Sequence, residues 1–182
     1  MRADDGGERR LLVATRSRHK LDELRALLRL PNARLLSLDE IGVDDEAIED
    51  AATLRGNAIL KARFYAGLSG LPTLADDSGL EVDALDGAPG VRTKRFAGES
   101  ATDAQNNARL LQVLGDLPAN RRGARYRCVL AFLDLDDRSG REQPWVTTRT
   151  GTFEGRIARE PRGTAGFGYD PIFEPATEPP GG

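Results

Sequence analysis

Between Tyr126 and Leu135 the chain is apolar on both of its alternating sets, Cys128, Leu130 and Phe132 in one and Val129, Ala131 and Leu133 in the other. A strand with one wet face alternates apolar and polar residues, whereas a strand apolar on both sides has to be covered on both sides. This segment therefore predicts a central strand, and the rest of the chain is read as what surrounds it.

The surrounding elements follow from period and punctuation. Leu11-Leu12-Val13-Ala14 reads as a buried strand running into a polar loop, Thr15 to Lys20. Leu21, Leu24, Leu27 and Leu28 then recur at helical spacing, with Ser17 as N-cap and Pro31 as the stop. Ala33 to Leu38 predicts a second strand and Asp39 to Asp50 an acidic loop. Thr53 caps a helix with Leu54, Ala58, Ala62 and Tyr65 or Ala66 on its apolar face, ending near Gly67 or Gly70. Pro72 to Ala75 predicts a short strand that delivers Asp76 and Asp77 and breaks at Gly79. Thr102 to Gln105 has the spacing of a capping box, Ala104, Ala108 and Leu111 continue one helical face, and Gly115 and Pro118 end it. Trp145 to Phe153 alternates with threonine, which predicts a strand with one wetter face. Helices and strands mixed without an internal linker predict an α/β fold: a disordered N-terminal tail over residues 1–10, a single domain over 11–182, and a Pro/Gly tail from Thr177 to Gly182.

Composition narrows the function. A chain of 182 residues can bury a core without staples, and its formal charge of -3 argues against general affinity for nucleic acid or an anionic membrane. One cysteine and one histidine exclude a disulfide framework, a cysteine zinc site and a multi-histidine metal site. No apolar run reaches bilayer length and the first ten residues hold no apolar signal core, so a reducing cytoplasm is the expected compartment.

Three segments carry possible chemistry. Thr15-Arg16-Ser17-Arg18-His19-Lys20 lies between a strand and a helix N-terminus, where free N–H groups and the dipole favour an anion and the side chains add donors suited to phosphate. It matches no Walker A or dinucleotide fingerprint, and the same residues also read as a solvated basic cap. Asp76-Asp77-Ser78-Gly79 offers carboxylates for a hard cation such as magnesium, although consecutive residues of a strand face opposite ways; the bland reading is an acidic turn. Gly163 to Pro171 is a glycine-rich loop in which Phe167 or Tyr169 offers a ring to a base. Arg92 to Arg95 and Arg121 to Arg125 read as solvated surface, and Cys128 as a packing residue.

Taken in order, Val13-Ala14-Thr15 with Lys20, Asn57 to Arg63, Ala75 to Val82, Gly87-Ala88-Pro89-Gly90 and Phe167 to Phe173 resemble the inosine/xanthosine triphosphate pyrophosphatase family over nearly the whole chain. The resemblance implies an elongated mixed β-sheet flanked by helices, a homodimer, and Mg2+-dependent conversion of inosine, xanthosine or deoxyinosine triphosphate to monophosphate and pyrophosphate. Carried over by position, it implies that Thr15, Arg16, Ser17, Arg18, His19 and Lys20 hold the triphosphate. It further implies that Asp77 is general base and metal ligand, that Ser78 touches substrate, and that Phe167, Gly168, Tyr169 and Asp170 line the base pocket. Glu49 is the candidate second metal ligand and Asp76 a support. Ser17 stands where the family usually has asparagine, and the family continues with a lysine and a Ser-His-Arg motif beyond the point where this sequence stops. A truncated C-terminal segment is therefore expected. The alternatives are a Maf-type nucleotide pyrophosphatase, which Thr15 to Arg18 faintly resembles, and a nucleotide-binding module without catalysis.

Overall fold

The computed structural model describes residues 8–28, 30–135, 144–163 and 166–176. Its elements in chain order are β1 (Arg9–Ala14), α1 (Arg18–Leu27), β2 (Ala33–Ser37), α2 (Leu54–Ser69), β3 (Thr73–Val82), α3 (Asp103–Leu114), β4 (Gly123–Leu133), β5 (Val146–Ile157) and β6 (Phe173–Pro175). The six strands pair in the order β2-β1-β3-β4-β5-β6. β1 runs parallel to β2 and to β3, with Leu12 opposite Leu36 on one side and Thr73 on the other, while β5 and β6 are antiparallel. The sheet is mixed and the fold is α/β, as expected. The chain forms two compact units: residues 1–77 with 129–149, and residues 78–128 with 150–182.

In the first unit Leu12, Val13 and Ala14 are consecutive and all buried, so β1 is the strand covered on both faces. On β4 the prediction holds for one set only: Val129, Ala131 and Leu133 are buried, whereas Cys128, Leu130 and Phe132 are half-buried. β1 also starts at Arg9, inside the segment expected to be a disordered tail, because the Arg9 N–H donates to Asn32 O and its register with β2 begins there. Parallel neighbours need crossovers, and α1 and α2 supply them. Ser17 Oγ accepts the Lys20 N–H and caps α1; Thr53 Oγ1 accepts the Gly56 N–H and caps α2, which ends at Gly70 in the left-handed region. Along α2 the buried side is Leu54, Asn57, Ala58, Ala62, Tyr65 and Ala66, the predicted face with an asparagine added.

The second unit packs Leu80, Val82, Leu110, Leu114, Ala124, Ile157, Tyr169 and Ile172 into one cluster. The capping box at Thr102 and Gln105 is present, but the buried face of α3 is Asn106, Asn107, Leu110 and Leu114 rather than the Ala104, Ala108 and Leu111 row. The asparagines are tolerated there because they bind backbone: Asn106 donates to Lys94 O and accepts from the Ala97 N–H. β3 also runs straight through Gly79. A Cβ at that position would lie 2.3 Å from Gly90 O and 2.8 Å from Thr93 Oγ1, so glycine here permits close backbone approach instead of ending the strand. β5 extends to Ile157 and is exposed on both faces over 149–154, wetter than its threonine alternation implied.

Arg122 corrects the reading of residues 121–125 as solvated surface. It is 1% exposed, and its guanidinium donates to Ile157 O at 2.8 Å, Gly115 O at 3.0 Å and Ala158 O at 2.9 Å. One rigid fork thus ties the end of α3 to the end of β5. Burial, with Arg159 nearby as a lesser cause, holds its pKa below the usual arginine value. Arg122→Met should lower unfolding free energy by about 3 kcal/mol, because the three carbonyls lose their donors. Urea denaturation measures this, and a midpoint equal to that of the unaltered chain would refute the tie.

Candidate functional site

β3 carries Asp76 and Asp77 as neighbours on one extended strand, and the pleat separates them. Asp76 is buried and forms an ion pair with Lys20 from the first turn of α1. Asp77 turns to α2: its Oδ2 accepts from Asn57 Nδ2 at 3.1 Å, and its Oδ1 lies 3.9 Å from Lys61 Nζ. Lys61 Nζ also lies 3.3 Å from Glu49 Oε2. Asp77 and Glu49 thus converge on one largely buried ammonium, although 28 positions separate them in sequence. Asn57 is the hinge of this group, since its Oδ1 accepts the Ala51 N–H at 2.9 Å while its amide nitrogen serves Asp77.

The loop before α1 has the expected placement at a helix N-terminus. Thr15 Oγ1 accepts the Ser17 N–H at 3.2 Å, and Ser17 caps the helix, so both hydroxyls order the turn. Arg18 is exposed at the first helical position, and the side chain of His19 lies outside the described residues. Arg16 does something the sequence did not indicate. Its guanidinium donates to Val43 O at 2.8 Å and Asp45 O at 3.0 Å, with Asp39 Oδ1 at 3.5 Å. Tyr65 holds the same acidic loop from α2, donating to Asp45 O at 3.2 Å and accepting the Ala47 N–H at 3.4 Å. The loop that bears Glu49 is therefore fastened from two elements.

In the second unit the segment 166–170 is held by four side chains. Asp103 Oδ2 accepts the Gly168 N–H at 2.8 Å and Asn107 Nδ2 donates to Gly168 O at 3.0 Å. Asp170 accepts the Phe167 N–H through Oδ2 and the Tyr126 hydroxyl through Oδ1, both at 3.0 Å. Tyr169 is 2% exposed and its hydroxyl donates to Thr93 O at 2.9 Å, so its ring belongs to the core. Of the two aromatic candidates for a base, Phe167 alone presents an exposed ring, at 54%. Burial, with Asp170 as the next cause, pushes the Tyr126 hydroxyl well above the usual tyrosine range and keeps it a donor. Burial and Asp103 push Tyr169 the same way.

Sequence reasoning singled out Asp77, Glu49 and the loop of residues 15–20, and the structure brings Asp77 and Glu49 to one point. It did not give a role to Asn57, Lys61 or Tyr65. Their signal was available: Asn57, Lys61 and Tyr65 recur at i, i+4, i+8 on one face of a predicted helix. Among the described residues no group of three or more histidine, cysteine, aspartate or glutamate side chains is placed so that it could hold a metal ion, and Asp77 and Glu49 are the two carboxylates that meet at Lys61. Arg16→Ala should speed backbone hydrogen exchange across residues 43–50 by about tenfold, the loss expected for its bonds to that loop. Unchanged exchange there would show that Tyr65 and α2 suffice.

The chain is 46% identical over 164 residues to a dITP/XTP pyrophosphatase of Shigella flexneri, covering 90% of this chain and 80% of that protein. It is 47% identical over 164 residues to a dITP/XTP pyrophosphatase of Geobacter sulfurreducens, covering 90% and 79%. The fold superposes on a HAM1 protein from Coxiella burnetii with a TM-score of 0.78, at 41% identity over 91% of this chain and 81% of that one. A nucleoside-triphosphatase, named also a dITP/XTP pyrophosphatase, from Mycobacterium abscessus gives 0.78 at 40% identity over 91% and 83%. The model of the Ham1 family matches residues 11–180, and the chain belongs to that family.

Proposed function

We propose that this protein hydrolyses deoxyinosine, xanthosine and inosine triphosphates to the monophosphate and pyrophosphate, removing deaminated purines from the nucleotide pool. The observation that carries this reading is the dedication of Asp77: its two oxygens are aimed by Asn57 and Lys61, in a chain whose relatives are named dITP/XTP pyrophosphatases. Under this reading the Asp77 carboxylate orients a water and takes its proton as that water attacks phosphorus. The Asn57 amide fixes which lone pairs face the water. Thr15, Ser17, Arg18 and Lys20, with the first N–H groups of α1, hold the phosphate chain as negative charge moves onto the pyrophosphate. Lys20 then exchanges part of its pairing with Asp76 for a phosphate oxygen. Ser78, next on β3, contacts the substrate, and Phe167 to Asp170 form the base-recognition segment of the second unit.

We further infer a magnesium cofactor. The donor set fits it: two carboxylates already gather around a positive charge at Lys61, and magnesium takes one or two carboxylates together with water and phosphate oxygens. Asp77 and Glu49 are the residues to hold it, and bound there it neutralises the phosphates and polarises phosphorus. Among the described residues no helix is long and apolar enough to cross a membrane, and we assign a cytoplasmic homodimer on the family resemblance. Light scattering should return twice the 19.7 kDa of the chain.

A pyrophosphate-release assay tests the activity. Inosine, xanthosine and deoxyinosine triphosphates should turn over well ahead of adenosine and guanosine triphosphates, chelation should abolish release, and added magnesium should restore it. Asp77→Asn should lower kcat by roughly 10²- to 10⁴-fold, the range for losing a general base. Binding of inosine triphosphate without pyrophosphate release, or full turnover in Asp77→Asn, would overturn the assignment.

A further inference from the structure

Asn107 is 8% exposed and half used: its Nδ2 donates to Gly168 O at 3.0 Å, while its Oδ1 is the buried side-chain atom that lacks a hydrogen-bond partner among the described residues. An orphaned buried acceptor costs stability, and an apolar side chain at the same place on α3 carries no such cost. The amide therefore reads as a group whose satisfied half does something that packing does not. One helical turn earlier, Asp103 Oδ2 accepts the Gly168 N–H at 2.8 Å. Asp103 and Asn107 are four apart on α3, so they stand on one face and grip a single residue by its donor and its acceptor together. Gly168 sits at φ +61°, a conformation that favours glycine, and Phe167 immediately before it projects its exposed ring.

We propose that Asp103 and Asn107 are positioning residues for base recognition: together they clamp Gly168, fix the presentation of Phe167, and so set how well the enzyme binds and selects a deaminated purine. This rests on the function proposed above. On the function proposed above the clamp acts on the base-recognition segment, apart from the phosphate loop, so its loss should fall on substrate binding and leave the chemical step nearly untouched. Asn107 should also show activity and stability moving apart, because removing it frees Gly168 O at a half-buried position where water reaches, and removes the orphaned Oδ1 from the interior.

The test uses the full chain with Asn107→Ala, and Asn107→Leu as a second, larger filler. Three readouts are expected in both: a thermal midpoint equal to or above that of the unaltered protein, hydrogen exchange over residues 166–170 faster by about tenfold, and KM for inosine triphosphate raised about tenfold with kcat within about twofold. Discrimination against guanosine triphosphate should narrow in step. Asp103→Asn keeps an acceptor for the Gly168 N–H and should stay near the original KM, whereas Asp103→Ala should not. Unchanged KM and exchange in an active Asn107→Ala would overturn the clamp, as would a fall in the midpoint with KM unaltered, which makes Asn107 a packing residue. If the unaltered protein releases no pyrophosphate, the proposed function fails instead, and the exchange measurement alone then decides whether the clamp holds the loop.

Discussion

Two carboxylates on consecutive residues repel each other, and the extended backbone of β3 resolves that repulsion by sending them opposite ways, toward different ammonium groups. Asp76 goes to Lys20 and Asp77 to Lys61, so one strand draws on α1 and α2 at once. Much of the first unit depends on this division. β3 must be fixed in register beside β1, α1 must begin at Arg18 for Lys20 to reach inward, and α2 must keep Asn57 and Lys61 on the side that faces the strand. A buried carboxylate that loses its partner is left as an uncompensated charge, a cost of about 3–5 kcal/mol. Electrostatic demand thereby constrains the packing as well as the chemistry.

The second unit solves a different problem, the shaping of a glycine-rich segment that has few side chains to hold it. Polar contacts pin it instead: Asp103 and Asn107 of α3 hold the Gly168 backbone, the Asp170 carboxylate within the segment accepts the Phe167 N–H, and the Tyr169 hydroxyl donates to Thr93 O. Asp170 is itself held by Tyr126 of β4. The segment acquires definition from polar groups that range from exposed, at Asp103 and Asp170, to buried, at Asn107.

Legibility in the sequence tracked physical locality. Caps at Ser17, Thr53 and Thr102 were readable because a cap is decided within four residues, and the strand of β1 was readable because burial on both faces leaves an unbroken apolar run. Asp77, the carboxylate proposed as general base, was singled out from a run of adjacent residues and from the family those residues resemble. The features that stayed hidden depend on partners distant in sequence. Arg122 looks like surface until three carbonyls are seen to surround it, and the face of α3 is masked by asparagines whose partners are backbone atoms elsewhere. In each case a polar side chain satisfied at long range was mistaken for one that needs solvent.

The spacing of Asn57 and Lys61 also bears on how this chain can change length. Both point at Asp77 because they are one turn apart on α2, whose start is set by the cap at Thr53. A single residue inserted or deleted between the cap and Lys61 rotates the remainder of the helix by about 100°, so it strips one partner from the carboxylate or strains the helix to keep both. Length variation should therefore be disallowed across one short stretch of helix. That stretch acts as a ruler, and its unit is the residue.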